Sequence, residues 1–257
     1  MFNLDAEVSR RCVLKSESRV ALVTGGSQRI GAAVARVLHS QGLTVAIHYR
    51  HSEHQAKELT QELNDIRSNS AVEFQTDLYE FDQVLELGNQ IIQSFDRLDV
   101  LVNNASEFQP NAIGDSSTES FDRMFGIHVK APFFLVQSVL PILQEARGCV
   151  VNVTDIYASH PLQDYSLYCA SKAALEALTK SMALELAPEV RVNAVAPGAI
   201  LWAEGETVAQ EVLSKTPLGR IGTVTELAAA VRYLALEATF TTGQTLTVDG
   251  GRVITTP

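Results

Sequence analysis

The chain has 257 residues, 46% of them hydrophobic, a formal net charge of −10 and a sequence pI near 5.1. That apolar share fills a core without a disulfide or metal staple, and the negative balance excludes a protein whose partner is nucleic acid, because no positive field offsets phosphate charge. A local basic pocket for a small anion remains compatible with it. Cys12, Cys149 and Cys169 show neither pairing nor metal spacing, so reduced thiols, a cytoplasmic setting and no metal are expected.

Residues 1–17 are polar and mixed and are expected to form a flexible arm, with residues 18–257 as a single domain. The opening stretch lacks the apolar run of a secretory signal. No later segment reads as long enough to span a bilayer, so no membrane partner is expected. "RVALVTGG" reads as a strand ending in glycines, after which Ile30, Val34, Val37 and Leu38 share one helical face as far as Gly42. "LTVAIHYR" is a second strand, before a polar helix over about 53–67. "AVEFQTD" is a strand, "QVLELGNQIIQSF" a helix, and "LDVLVNNAS" a strand running into a loop. A long amphipathic helix is expected over about 117–145, then the strand "CVVNVTD" and a helix over about 164–187. "VRVNAVAPG" is a strand leading into an irregular stretch over about 199–216; the helix "VTELAAAVRYLAL" and the strand "QTLTVDGG" come after it. Strands apolar along nearly their whole length, alternating with helices, argue an α/β fold: one doubly wound parallel sheet with helices on both faces. No linker, repeat or low-complexity segment interrupts it.

In "TGGSQRIG", residues 24–31, two glycines follow a strand and a third lies in the first helical turn. Such a turn lets the backbone approach a phosphate, and a helix N-terminus offers it free N–H groups; any tight strand-to-helix turn looks similar. The spacing is not G-x-G-x-x-G, and Arg29 occupies the place of a middle glycine. The second strand ends with Arg50, His51 and Ser52, where a cofactor with a free ribose 2′-hydroxyl would want a carboxylate. A cation beside a hydroxyl suits a 2′-phosphate, which favours NADPH over NADH; the plain alternative is an exposed basic turn. Asp77, ending the third strand, either accepts from an adenine amino group or caps the next helix. "NNAS", residues 103–106, falls at the carboxyl edge of the sheet, where ligands bind in this architecture.

Tyr168 and Lys172 are four apart on a predicted helix and so share a face. An ammonium beside a phenol stabilises the phenolate and lowers its pKa, so that the phenol can hand over a proton as hydride arrives. The pair alone is easily met by chance on an amphipathic helix. Asp155 lies thirteen residues before the tyrosine.

In this order the glycine turn, "NNA", the acid, Tyr-x-x-x-Lys and "PG" resemble the short-chain dehydrogenase/reductase family over about residues 18–252. Arg29, "HYRHS", "NNASEFQP" with Phe108, and Asp155 where most relatives carry serine resemble its pteridine reductase branch. The resemblance implies a Rossmann-type sheet of seven strands, NAD(P) binding and a homotetramer. It places Gly25, Ser27, Ile30, Gly31, His48, Tyr49, Leu78, Asn104, Ala105, Thr154, Pro197 and Gly198 along the cofactor, with Lys172 on the nicotinamide ribose. Arg29 and Ser106 would bond the pterin or the cofactor phosphates. Phe108 would stack on the substrate ring or simply pack its own loop, and Trp202 would lie in a covering lid or in the core. His128 stands where the family usually has an asparagine that shapes a proton relay.

The aspartate decides between reactions. An ionised Asp155 repels the oxygen that gathers charge when a ketone is reduced, whereas it stabilises a protonated ring imine; a neutral Asp155 can pass a proton through Tyr168, and the carboxylate form tends to raise the phenol's pKa against Lys172. The expected function is therefore NADPH-dependent reduction of the ring C=N of a dihydropterin or dihydrofolate, with Asp155, Tyr168 and Lys172 catalytic. A ketone or 3-oxoacyl reductase of the same fold, a non-catalytic NADPH-binding regulator, and an aspartate that merely caps a turn are the alternatives.

Overall fold

The computed structural model describes residues 18–200 and 210–255. The expected arm, residues 1–17, and Trp202 lie outside the described residues. Seven strands form one parallel sheet in the order β3-β2-β1-β4-β5-β6-β7. They are β1 (Val20–Val23), β2 (Thr44–Tyr49), β3 (Ala71–Gln75), β4 (Val100–Asn103), β5 (Cys149–Val153), β6 (Arg191–Pro197) and β7 (Thr245–Val248). The helices between them are α1 (Arg29–Ser40), α2 (Glu53–Ile66), α3 (Phe81–Ser94), α4 (Thr118–Phe125), α5 (Ala131–Glu145) and α6 (Ser166–Leu186). The short α7 (Gln210–Ser214), α8 (Val224–Leu236) and the terminal turn α9 (Arg252–Thr255) complete the chain order. This is the doubly wound Rossmann-type fold.

Side chains two apart on a strand point to the same face, and here both faces are covered. Ala21, Val23, Val45, Ile47, Val102 and Val151 join one core under α1 and α8. Val20, Leu22, Leu101, Val150 and Val192 join the other, under α3 and α5. Burial on both faces is why these strands read as continuous apolar runs. The edge strand β7 differs, with Leu246 37% exposed.

Three expectations are corrected. The helix over about 117–145 is not uniform: Gly126–Lys130 form a wide π turn between α4 and α5, and His128 sits in it. The same run, Thr118–Glu145, is long and apolar enough by composition to cross a bilayer, with mean hydropathy 1.4 over its most apolar window. It is instead a core helix, whose Leu135, Val136, Val139 and Leu143 pack into the sheet. The stretch expected to be irregular contains α7.

The order of strands reverses between β1 and β4, so their connections leave in opposite directions and open a crevice at the carboxyl edge. The candidate residues gather there.

Candidate active site

The β1–α1 turn is held by the loop that leaves β4. Thr24 Oγ1 accepts the amides of Asn104 and Ala105 at 2.9 and 3.0 Å, and Asn104 Nδ2 donates to the carbonyls of Thr24 and Gly25 at 2.9 and 3.1 Å. This closeness explains the glycines. A Cβ on Gly31 would lie 2.0 Å from the Gly25 carbonyl oxygen, and Gly25 has φ +59. Arg29 takes the left-handed region at φ 50 without being glycine, a conformation that costs about 1 kcal/mol. Helix α1 opens with no side-chain cap and no acid in its first turn, which leaves its amide dipoles directed at the crevice. His48 braces the turn from below: Gly25 N donates to its Nδ1 at 3.1 Å, and its Nε2 bonds the Thr76 carbonyl at 3.1 Å. Full burial lowers its pKa from 6.5 to about 4, so it is neutral and Nε2 carries the proton.

A cleft of about 560 Å³ runs from this turn past Tyr49, Arg50, His51 and Ser52 to Leu78 and Ser106. Ser27 and Ser52 share a hydrogen bond of 2.6 Å across its floor. Arg50 Nε donates to His51 Nε2 at 2.7 Å and lies 3.3 Å from Asp77 Oδ2. Asp77 does not cap α3, whose first turn begins at Glu80 without a side-chain cap; its Oδ1 accepts the Tyr79 amide at 3.0 Å. The residues fit a phosphorylated dinucleotide: uncapped helix amides, a cradle that a Cβ would fill, and a cation with hydroxyls at the end of β2.

A second cleft, of about 760 Å³, is lined by Asp155 and Tyr168. Strand β5 delivers Asp155 just past its end. The Asp155 carboxylate is divided between two tasks: Oδ1 accepts the Tyr157 amide at 2.9 Å, capping the 3-10 turn Ile156–Ala158, and Oδ2 accepts from Tyr168 Oη at 2.7 Å. The capping role and the pocket role coexist. Lys172, one turn along α6 from Tyr168, donates to the Val153 carbonyl at 2.9 Å and lies 5.7 Å from the Tyr168 ring centroid. Burial lowers its pKa from 10.5 to about 8, partly opposed by Asp155. Burial also raises Asp155, against the pull of the Tyr157 amide, Tyr168 and Lys172.

Of the two opposing pulls expected on the phenol, the upward one prevails. Burial first and the Asp155 carboxylate second push the Tyr168 pKa up, and Lys172 does not outweigh them. Tyr168 is therefore a bound phenol, a proton donor held against an acceptor, and no phenolate.

Phe108 has an aromatic partner within the protein. Its ring is already stacked on Tyr165, with centroids 4.4 Å apart and planes at 16°, and meets Tyr168 edge-on at 4.8 Å. It remains 52% exposed and lines the second cleft with Arg29, Ile30, Pro197 and Gly198. Gly198 is required by Asp249, whose Cβ would be 2.7 Å from a Cβ added there. Thr154 and Lys172 are buried behind the cleft, and Thr154 Oγ1 donates to the Val195 carbonyl at 3.1 Å.

His128 joins loop to helix. Its Nε2 accepts the Glu107 amide at 3.3 Å and meets Ser106 Oγ at 2.8 Å, which leaves Nδ1 to donate to Ser171 Oγ at 2.8 Å. Burial and the charge of Lys172 hold its pKa well below 6.5. A group that sequence reading missed lies beside it: the Tyr79 hydroxyl donates to Glu107, Arg123 pairs with Glu107 at 2.6 Å, and Arg50 and Arg123 lie 4.8 and 4.2 Å from the Tyr79 ring centroid. Thr24, Tyr157, Tyr165 and Arg252 were also missed. Only Thr24 carried a local signal, as the hydroxyl immediately before the glycines.

The sequence model of the family described as enoyl-(acyl carrier protein) reductase matches residues 25–252. The chain belongs to the short-chain dehydrogenase/reductase family. It is thus an oxidoreductase of a family whose members bind NAD(P)H. Among similar proteins, pteridine reductase 1 of Leishmania tarentolae is 34% identical over 279 aligned residues, 92% of this chain and 96% of the relative. A 3-oxoacyl-[acyl-carrier-protein] reductase of Staphylococcus epidermidis is 33% identical over 241 residues, 91% of this chain and 98% of the relative. Overall identity does not separate these two short-chain reductases as guides to substrate; the residues at the cleft must.

Proposed function

We propose that the protein is an NADPH-dependent reductase of the ring C=N of dihydropterins, extending to dihydrofolate. The observation that carries this reading is the carboxylate of Asp155 bonded to Tyr168 Oη at 2.7 Å inside the cleft. NADPH, held by the β1–α1 turn, Arg50, Ser52 and Lys172, would supply a hydride to the ring carbon. The protein's own residues manage the proton that the ring nitrogen must gain. Tyr168 stays protonated because burial and Asp155 oppose its ionisation, so it holds the proton to be given. As a carboxylate, Asp155 stabilises positive charge on an imine nitrogen. It lines the cleft and burial raises its proton affinity, so it can take up a proton from solvent and pass it on to Tyr168 after Tyr168 has given its own away. Lys172 keeps net charge at the site low while Asp155 is ionised. Phe108 and Tyr165 give a flat ring an apolar wall.

A second reading, reduction of a ketone such as a 3-oxoacyl group, is favoured by the 33% identity to a 3-oxoacyl-[acyl-carrier-protein] reductase. It conflicts with a carboxylate where oxygen would gather negative charge. Exposed apolar side chains on the two long helices, Phe133 and Leu184, support assembly into an oligomer, the expected homotetramer.

The test is NADPH oxidation monitored by absorbance with 7,8-dihydrobiopterin, dihydromonapterin, dihydrofolate and a 3-oxoacyl thioester, using wild type and Asp155→Ser. Turnover of a dihydropterin by wild type, weakened in the serine variant, is the expected result. Turnover of the thioester alone, preserved or improved by serine, would assign the second reading.

A further inference from the structure

The cleft that holds Tyr168 and Asp155 has a far rim that hydride and proton transfer leave unused. Tyr157, Tyr165 and Phe108 line it, and Arg252 stands with them. Arg252 comes after Gly250 and Gly251, whose φ angles of +66° and +85° turn the chain sharply after β7. The turn is fixed from several sides. Asp249 Oδ1 accepts the Gly251 amide at 2.8 Å and Oδ2 the Val253 amide at 2.7 Å. A Cβ on Gly250 would lie 2.8 Å from Thr216 Cγ2, and one on Gly251 3.0 Å from Pro217 Cγ. The base of the Arg252 side chain is therefore set by a packed backbone. At its tip, Nη1 donates to the Val212 carbonyl at 3.2 Å, and the guanidinium bonds the Tyr157 side chain. The carboxylate that feels its charge from α7, Glu211, is itself paired with Lys215 at 2.7 Å.

We propose that Arg252 marks an anion subsite at the mouth of this cleft, taking the carboxylate tail of a substrate whose flat ring lies against Tyr168 and Asp155. A guanidinium bonds a carboxylate through paired N–H groups, and one placed by a rigid turn gives up little freedom on doing so. The protein as a whole carries a net charge of −10, so an anionic ligand is repelled at long range and needs a local cation to be held. Arg252 supplies it in the same cleft, which Tyr157, Tyr165 and Phe108 also line. Those rings suit a planar linker between ring and tail, and the cleft volume of about 760 Å³ falls in the upper half of the range for drug-sized ligands, roughly 300–1,000 Å³. The inference rests on the dihydropterin reading and names the member of that class the cleft favours: one with a carboxylated tail, as in dihydrofolate, over one with a neutral side chain, as in 7,8-dihydrobiopterin.

The experiment compares kcat/KM for dihydrofolate with kcat/KM for dihydrobiopterin in wild type, Arg252→Gln and Arg252→Lys at saturating NADPH. The ratio is expected to fall about tenfold or more in the glutamine variant, chiefly through a higher KM for dihydrofolate, and to lie between in the lysine variant, which keeps the charge but not the fork. Raising salt to about 0.5 M should lower the wild-type ratio and leave that of the glutamine variant where it is. An unchanged ratio in the glutamine variant, or an equal loss on both substrates, overturns the subsite and leaves the dihydropterin reading standing. A wild type that reduces neither substrate overturns both.

Discussion

Tyr168 donates to one oxygen of Asp155 at 2.7 Å while the other oxygen accepts the Tyr157 amide at 2.9 Å. The amide fixes the carboxylate and the carboxylate fixes the phenol, so the acid that organises the turn also adds to burial in keeping the tyrosine protonated. Tyr168→Phe is expected to reduce kcat by roughly 10²–10⁴ with little change in NADPH affinity. Asp155→Asn keeps a cap but removes the charge, so its loss in kcat should come without a large loss of stability. Asp155→Ala should add about 1 kcal/mol of destabilisation from the lost cap. Steady-state rates beside urea midpoints separate the two effects; equal midpoints for the asparagine and alanine variants would contradict the divided role.

Lys172 gives the site an alkaline limit. Its pKa is lowered to about 8, so the ammonium proposed to hold the cofactor ribose is lost as pH rises through that value. The NADPH KM should therefore climb above about pH 8, and Lys172→Met should remove the dependence. Stability moves in the opposite direction. Between about 8 and 10.5 the unfolded chain keeps a proton that the folded protein has released, so this group's contribution to stability rises with pH there. Weaker binding without a parallel loss of fold distinguishes deprotonation of Lys172 from alkaline unfolding. Asp155→Asn, which removes the opposing charge, should move the limit to lower pH.

Much of this was legible because burial on both faces leaves strands such as "VALV" and "CVVNV" apolar without interruption. Asp155 and Tyr168, singled out thirteen residues apart, do meet in the structure, since one strand end and one helix start carry them. The break at Gly126–Lys130 was not legible: a π turn needs one extra residue in the helical path, and "GIHVK" has no composition that demands it. Tyr79, Glu107 and Arg123 meet across three separate segments, so no local period announces them. The cover of Phe108 by Tyr165 and the direction of the Tyr168 shift both depend on how deeply these groups are buried, which pattern alone does not give.

Arg50 should discriminate between cofactors. It lies over Tyr79 and 3.3 Å from Asp77, at the end of β2, with Ser52 nearby in the same cleft. Arg50→Ala is expected to weaken NADPH binding by about 1.5–3 kcal/mol and NADH binding far less, read by fluorescence titration of each dinucleotide. Equal effects would remove the 2′-phosphate from this cation.

His48 makes the cofactor turn sensitive to acid. Its pKa is 6.5 when unfolded and about 4 when buried, so the unfolded chain takes up the proton first. The stability it contributes is fully present above 6.5 and is lost as pH falls through about 4, a change of about 3 kcal/mol. Urea midpoints measured from pH 7 to 4.5 should fall more steeply in wild type than in His48→Gln, which has no proton to gain. Parallel slopes would assign acid loss to other groups.

His128 is expected to act through position. Its neutral ring accepts the Glu107 amide and donates to Ser171 Oγ, and Ser171 donates in turn to the Tyr168 carbonyl at 2.8 Å. The loop carrying Ser106 and Phe108 is thereby tied to the helix carrying Tyr168. His128→Phe fills the space but leaves the Glu107 amide and Ser171 without their partner, at a cost of about 1–3 kcal/mol, and it frees the loop from the helix. It should lower kcat and raise the KM for substrate while leaving the NADPH KM near that of wild type. His128→Asn retains a donor and an acceptor on a shorter side chain, and should recover part of both losses. A variant that loses stability but keeps the wild-type kcat and substrate KM would reduce His128 to a core residue.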